Sequence, residues 1–143
     1  MAIKSPEKLK IHNAGMSELF GLLRRRGVFH RTPDAYEEAG HDRDNDDHGF
    51  DFAINGHKID YKSFGLLLIN STATWYSPYW RNNRNPHRRG LENEFYLFHT
   101  GPDPKGWLAM RRSDVYPSTR GHAPYCWKNK LLTLDQLIGA CAN

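Results

Sequence analysis

Cysteine is scarce in this chain: Cys126 and Cys141 are the only two among 143 residues. Two thiols cannot build a disulfide framework or, by themselves, a zinc knuckle. They fit a reducing compartment, and nothing in the sequence supports a disulfide between them. No run of about 18 apolar residues exists, so no membrane-spanning helix is expected. The opening MAIKSPEKLKIHNAG lacks the apolar core of a signal peptide. The expectation is an intracellular protein with no membrane partner. A Gly-rich phosphate loop and a Ser/His/Asp constellation are also missing, which argues against P-loop and triad chemistry.

What is present is ample material for a folded domain. Hydrophobic residues make up 38% and aromatic residues 13%, too much for a disordered chain. The length suits one domain over 1–143, with residues 1–13 expected as a flexible basic arm. The formal charge of +4 is a mild bias, but its distribution is uneven. Asp42, Asp44, Asp46 and Asp47 crowd one short segment, while Arg24–Arg26 and Arg81–Arg89 form basic ones. A basic rim beside an acidic centre suits phosphodiester chemistry, because the rim attracts phosphate and the centre can hold metal. Ordinary solvated faces give the same pattern.

Along the chain, Met16, Leu19, Phe20 and Leu23 recur at helical spacing. Ser17 is a candidate cap and Gly27 a stop signal. Val28–Thr32 is β-prone. The segment from Thr32 to Gly49 reads as a polar loop with one helical turn at Asp34–Ala39. Glu94–Thr100 and Trp107–Met110 read as paired strands. Thr133 is placed to cap a last helix whose inner face carries Leu134, Leu137 and Ile138.

Residues 49–63, GFDFAINGHKIDYKS, carry the most information. Two β-prone runs flank Asn55-Gly56, a strong two-residue hairpin signal. Pairing outward from that turn sets Ile54 against His57, Ala53 against Lys58, Phe52 against Ile59 and Asp51 against Asp60. With a period of two, Asp51, Asp60 and Lys62 share one face, and Phe52, Ile59 and Tyr61 face a core. Directly opposed carboxylates destabilise a sheet unless something compensates. A hard divalent cation would do so, and Lys62 beside it could orient water or stabilise developing charge. The plainer reading of the trio is a salt bridge between Lys62 and the two aspartates.

Asp51, eight residues, then Asp60-Tyr61-Lys62 resembles the PD-(D/E)xK nuclease superfamily. That family carries an acid at a strand start, a hairpin, and (D/E)-x-K on the next strand. The resemblance covers roughly Ser17–Ser63, with a looser match of the following strand order. Phe50 stands where the family often has proline before the first acid. The resemblance implies a restriction-endonuclease-like α/β fold, a mixed sheet flanked by helices, in a single domain. It also implies a DNA nuclease that uses Mg²⁺, with Mn²⁺ as a substitute. Asp51 and Asp60 would be the metal ligands and Lys62 the catalytic lysine. An acid on the preceding helix often joins the metal shell, and Glu18 resembles it by position. A Glu early in the predicted helix also suits the helix dipole without any metal. Glu37, Glu38 and Asp47 are weaker substitutes. Cutting a duplex would favour a homodimer with two sites.

Residues 72–89 interleave Trp75, Tyr76, Tyr79 and Trp80 with Arg81, Arg84, Arg88 and Arg89. Arginines suit phosphates and aromatics can stack on exposed bases. Equally, the tryptophans could be core and the arginines solvated. Three rival readings follow. One is a non-catalytic nucleic-acid-binding module built on that segment. Another is an interaction factor, such as a phage or mobile-element protein, on a nuclease-like scaffold. The third is a zinc or HNH-type site drawing on the eight histidines, for which no ligand pair has convincing spacing.

Overall fold

The computed structural model describes residues 6–38, 50–62, 67–68, 74–76, 93–99, 106–116 and 125–142. Its first element is a 20-residue helix, α1 (Pro6–Arg25). Proline is tolerated at a first helical position because its missing N–H would be unpaired there anyway, and Glu7 in the first turn suits the helix dipole. The expected basic arm is therefore helical from Pro6 onward, and Ser17 lies mid-helix rather than at a cap. Periodicity missed this extension because Leu9 and Ile11 stay exposed. Gly27 (φ +68) ends the helix as expected. Its N–H bonds Arg24 O, and the Val28 N–H bonds Leu23 O, the pairing of a Schellman stop.

The expected strand at 28–32 reduces to a single antiparallel bridge between Arg31 and Ala53. One helical turn follows at 35–38. Asp34 caps it by accepting from the Glu37 N–H, while Glu37 accepts from the Asp34 N–H and is gripped by the Arg31 guanidinium. That grip lowers the Glu37 carboxyl to about 2.

The hairpin has the expected register. β1 (Phe52–Ile54) pairs with β2 (His57–Lys62) through Phe52↔Ile59, Ala53↔Lys58 and Ile54↔His57. Asn55 (φ 49) and Gly56 (φ 83) both take positive φ, as a type I′ turn requires. β3 (Leu67–Leu68) and β4 (Thr74–Tyr76) follow, then β5 (Phe95–His99) and β6 (Trp107–Arg111). A 3₁₀ turn spans Arg112–Asp114, and a second (Lys128–Lys130) follows β7 (Cys126–Trp127). β8 (Leu132–Thr133) leads into α2 (Leu134–Ala140). Thr133 caps α2 in a reciprocal box with Gln136.

The result is a mixed α/β fold with a five-stranded sheet ordered β1-β2-β5-β6-β8 and a three-stranded one ordered β3-β4-β7. β2 and β5 run parallel and the other neighbours in the larger sheet run antiparallel. One face of that sheet packs Phe52, Ile54, Ile59, Tyr61, Leu97 and Trp107 against Leu19 and Leu23 of α1 and Leu134 and Leu137 of α2. Burying each such leucine stabilises by roughly 1.5–3 kcal/mol. The opposite face carries Tyr96, Phe98 and Met110, packed with Val115 and with Cys126 of β7. Both cysteines are buried free thiols.

Candidate active site

Asp60 and Lys62 are two residues apart on β2, so their side chains share a face. Their register partners on β5 are Tyr96 and Phe98, which belong to the second apolar cluster. The pair is accordingly buried, at 4% and 7% exposure. A buried lysine must be paired, and Lys62 Nζ lies 2.9 Å from Asp60 Oδ2.

Asp51 reaches the same place by a different route from the one expected. β1 begins one residue later, at Phe52. The Asp51 N–H bonds the Ile59 carbonyl, although Phe52 is the register partner of Ile59. Two residues thus address one, as in a β-bulge, a device that re-aims a side chain. The Asp51 carboxylate does not simply stand opposite Asp60. Its Oδ2 accepts from the Tyr61 backbone N–H at 2.7 Å and so continues the hydrogen-bond ladder past the end of β1. From there it still makes side-chain contact with Asp60.

Two carboxylates this close in a buried setting cannot both ionise cheaply. Burial pushes Asp60 up to about 8; the Lys62 charge opposes the rise and the Asp51 charge adds to it. Burial also pushes Asp51 upward, but contacts with His12 and Asp60 and the charges of Lys62 and His12 win, leaving it below the usual aspartate value. Within the pair, burial favours the proton on Asp60 and the contacts of Asp51 favour the charge there.

His12 is the residue that sequence reasoning missed. Its Nε2 lies 3.6 Å from Asp51 Oδ1, an ion-pair distance longer than a hydrogen bond. Its ring leans on Tyr61 with centroids 5.1 Å apart. Only the extension of α1 to Pro6 brings His12 there. Gly15 permits the approach: a Cβ at this position would sit 1.9 Å from the Tyr61 Oη. A helical reading begun at Pro6-Glu7 could have revealed both. Phe50, in the position where the resembled family often has proline, is buried with Arg31 and Lys58 over its ring at 5.2 and 4.9 Å.

Glu18 lies elsewhere. Its Oε2 is 4.0 Å from His99 Nε2, and its charge helps raise the Tyr61 hydroxyl to about 12, after burial. Among the described residues no group of three His, Cys, Asp or Glu is arranged to hold a metal ion, and the contact of Glu18 is with His99. Glu37 is committed to Arg31, and Glu38 is exposed. His57 pairs with Glu94 at 2.6 Å.

Trp75 and Tyr76 belong to β4, which pairs with β3 and β7. Tyr79, Trp80, Arg81, Arg84, Arg88 and Arg89 lie outside the described residues, as do Asp42, Asp44, Asp46, Asp47 and Ser63.

The site fits a hard divalent cation on one count. A carboxylate pair, Asp60 buried and Asp51 half-buried, offers oxygen ligands to Mg²⁺. Mg²⁺ commonly takes only one or two carboxylates and fills its shell with water and phosphate. No helix of the described residues is long and apolar enough to cross a membrane. No protein-family model, curated protein or solved structure matches the chain.

Proposed function

We propose that this protein is a Mg²⁺-dependent nuclease that hydrolyses phosphodiester bonds of DNA, acting as an endonuclease. One observation carries the reading: the two arms of a single hairpin bring Asp51 and Asp60 into contact, with the Lys62 amine 2.9 Å from Asp60. The order of elements supports it. A helix precedes, an acid stands at the start of β1, a tight hairpin follows, and Asp-x-Lys lies on β2 beside a parallel strand. That order agrees with a restriction-endonuclease-like domain of the PD-(D/E)xK kind.

Asp51 and Asp60 would hold the metal. When bound, Mg²⁺ supplies charge stabilisation at the phosphoryl oxygens and a more acidic water. The chain's own groups do the rest. The Tyr61 N–H fixes Asp51 Oδ2, and His12 steadies Oδ1. Lys62 offers a cation, in a water-poor setting, to charge that develops on the phosphate. Loss of the Asp60 proton to solvent prepares the pair for the cation.

The test is cleavage of plasmid, linear and single-stranded DNA with Mg²⁺ or Mn²⁺, run beside Asp60→Ala and Lys62→Ala. The expected result is metal-dependent cutting by the wild type and none by the variants. A wild type that cuts nothing, or variants that cut equally well, would sink the reading.

A further inference from the structure

A second feature lies on the Asp60/Lys62 side of the larger sheet. The two 3₁₀ turns enclose a recess of about 130 Å³ lined by Ser113, Asp114, Val115, Tyr116, Trp127 and Lys130. Pockets for drug-sized ligands run roughly 300–1,000 Å³, so this one suits a single planar ring. Tyr116 and Trp127 are 47% and 40% exposed, so both rings can be reached from solvent. They are also held firmly. The Tyr116 and Tyr125 backbones bond each other in both directions, at 2.8 and 3.2 Å. Their rings stack at 4.8 Å, and Trp127 meets Tyr125 edge-on at 6.0 Å. Beneath them, Val115 and Cys126 are anchored in the apolar cluster that contains Tyr96 and Phe98, the register partners of Asp60 and Lys62. Aromatics fixed in advance lose little entropy on binding.

We propose that this recess receives one unpaired base of a single-stranded nucleic acid. Tyr116 and Trp127 form the stacking surface, and Lys130 takes the neighbouring phosphate. Asp114 and Ser113 offer acceptors to the base's N–H groups. The combination of stacking rings and a cation is how single strands are held without sequence readout. A paired base keeps its faces covered by its neighbours and cannot enter. The proposal deepens the nuclease reading and rests on it for the polymer involved, since it makes a strand with an unpaired base the preferred substrate.

The experiment is fluorescence anisotropy with a labelled single-stranded oligodeoxynucleotide and the duplex of the same sequence, in EDTA so that nothing is cut. Trp127→Ala should weaken single-strand binding about tenfold, and Trp127→Phe should restore most of it. Duplex binding should change less than twofold. Lys130→Ala should reduce the salt slope for the single strand by about one. Equal losses on single strand and duplex, no loss on the single strand, or no binding of either would overturn the assignment. Cleavage with Mg²⁺ is assayed in parallel. Trp127-dependent binding without any cleavage leaves the recess standing and removes the nuclease reading. Cleavage with Trp127-independent binding does the reverse.

Discussion

Helix α1 carries two polar residues to the sheet, His12 and Glu18, and their surroundings differ sharply. They are about 9 Å apart along the axis, at 1.5 Å per residue. His12 meets a saturated site. Asp51 there takes a backbone N–H, an imidazole and a second carboxylate, and that carboxylate takes a lysine. Glu18 meets an unsaturated one. His99 stacks on Trp107 at 4.1 Å, and among the described residues neither its buried Nε2 nor the buried Tyr61 hydroxyl has a hydrogen-bond partner. Buried polar groups normally find partners, because an orphan forfeits its hydration without return. The contrast separates a site organised around charge from one governed by packing. On the proposed function the chemistry belongs at the Asp51/Asp60 end, and the contrast tests whether Glu18, which the resemblance also assigned to it, takes part.

The sharpest way to break this contrast is kinetic. Asp60→Ala and Lys62→Ala should each lower the cleavage rate by at least roughly 10²–10³-fold, the cost of losing one preorganised charge-stabilising group. Glu18→Ala should lower it by less than about tenfold. Equal losses for Glu18 and Asp60, read as single-turnover rates, would return Glu18 to the metal shell. Chelation by EDTA should abolish cutting by the wild type.

Gly15→Ala presses a methyl onto the Tyr61 hydroxyl, so α1 or the Tyr61 side chain must shift. Overpacking of this kind costs about 1–3 kcal/mol. Urea denaturation should report it as a lower midpoint with unchanged slope. An unaffected midpoint would mean that the helix does not lie so close to β2.

A third prediction concerns pH. Asp60 binds its proton more tightly in the fold (about 8) than its ordinary value of 3.8. Its contribution is therefore fully present below about pH 4 and is lost as pH rises through about 8. Asp51, shifted the other way, contributes above the ordinary value and loses that contribution as pH falls. In EDTA the wild-type Tm should decline between pH 5 and pH 9. Asp60→Asn, which resembles the protonated acid, should flatten that decline. Parallel curves for the two proteins would show that Asp60 is ionised throughout.

The smallest effect is expected at the unsaturated end. Tyr61→Phe removes a buried, unbonded hydroxyl and should be neutral or stabilising by about 1 kcal/mol. A loss of more than that in urea unfolding would reveal a partner for the hydroxyl and weaken the contrast.

Much of the fold was legible because local rules decided it. Asn55-Gly56 accepts positive φ at both positions, so the turn and the register of β1 and β2 followed from two residues. Gly27 and Thr133 marked helix ends through backbone conformation and capping, which act within a few residues. Leu19, Leu23, Leu134 and Leu137 were found inside because their spacing matches a helical period. Other features resisted for equally physical reasons. The first two turns of α1 lack a buried stripe, so periodicity had nothing to report. The parallel pairing of β2 with β5 joins residues more than thirty positions apart, with no local signature.

The candidate site divides along the same line. By itself the sequence determined that an acid, a tight turn and Asp-Tyr-Lys stand on one hairpin, because strand alternation and turn chemistry are local. Only the tertiary structure decided what those side chains meet. The bulge at Asp51 turned its carboxylate onto the Tyr61 N–H. The close approach of α1 over Gly15 brought His12 to it. Packing of the second apolar cluster around Asp60 and Lys62 removed the water that would otherwise have kept the Asp60 carboxyl near its ordinary value.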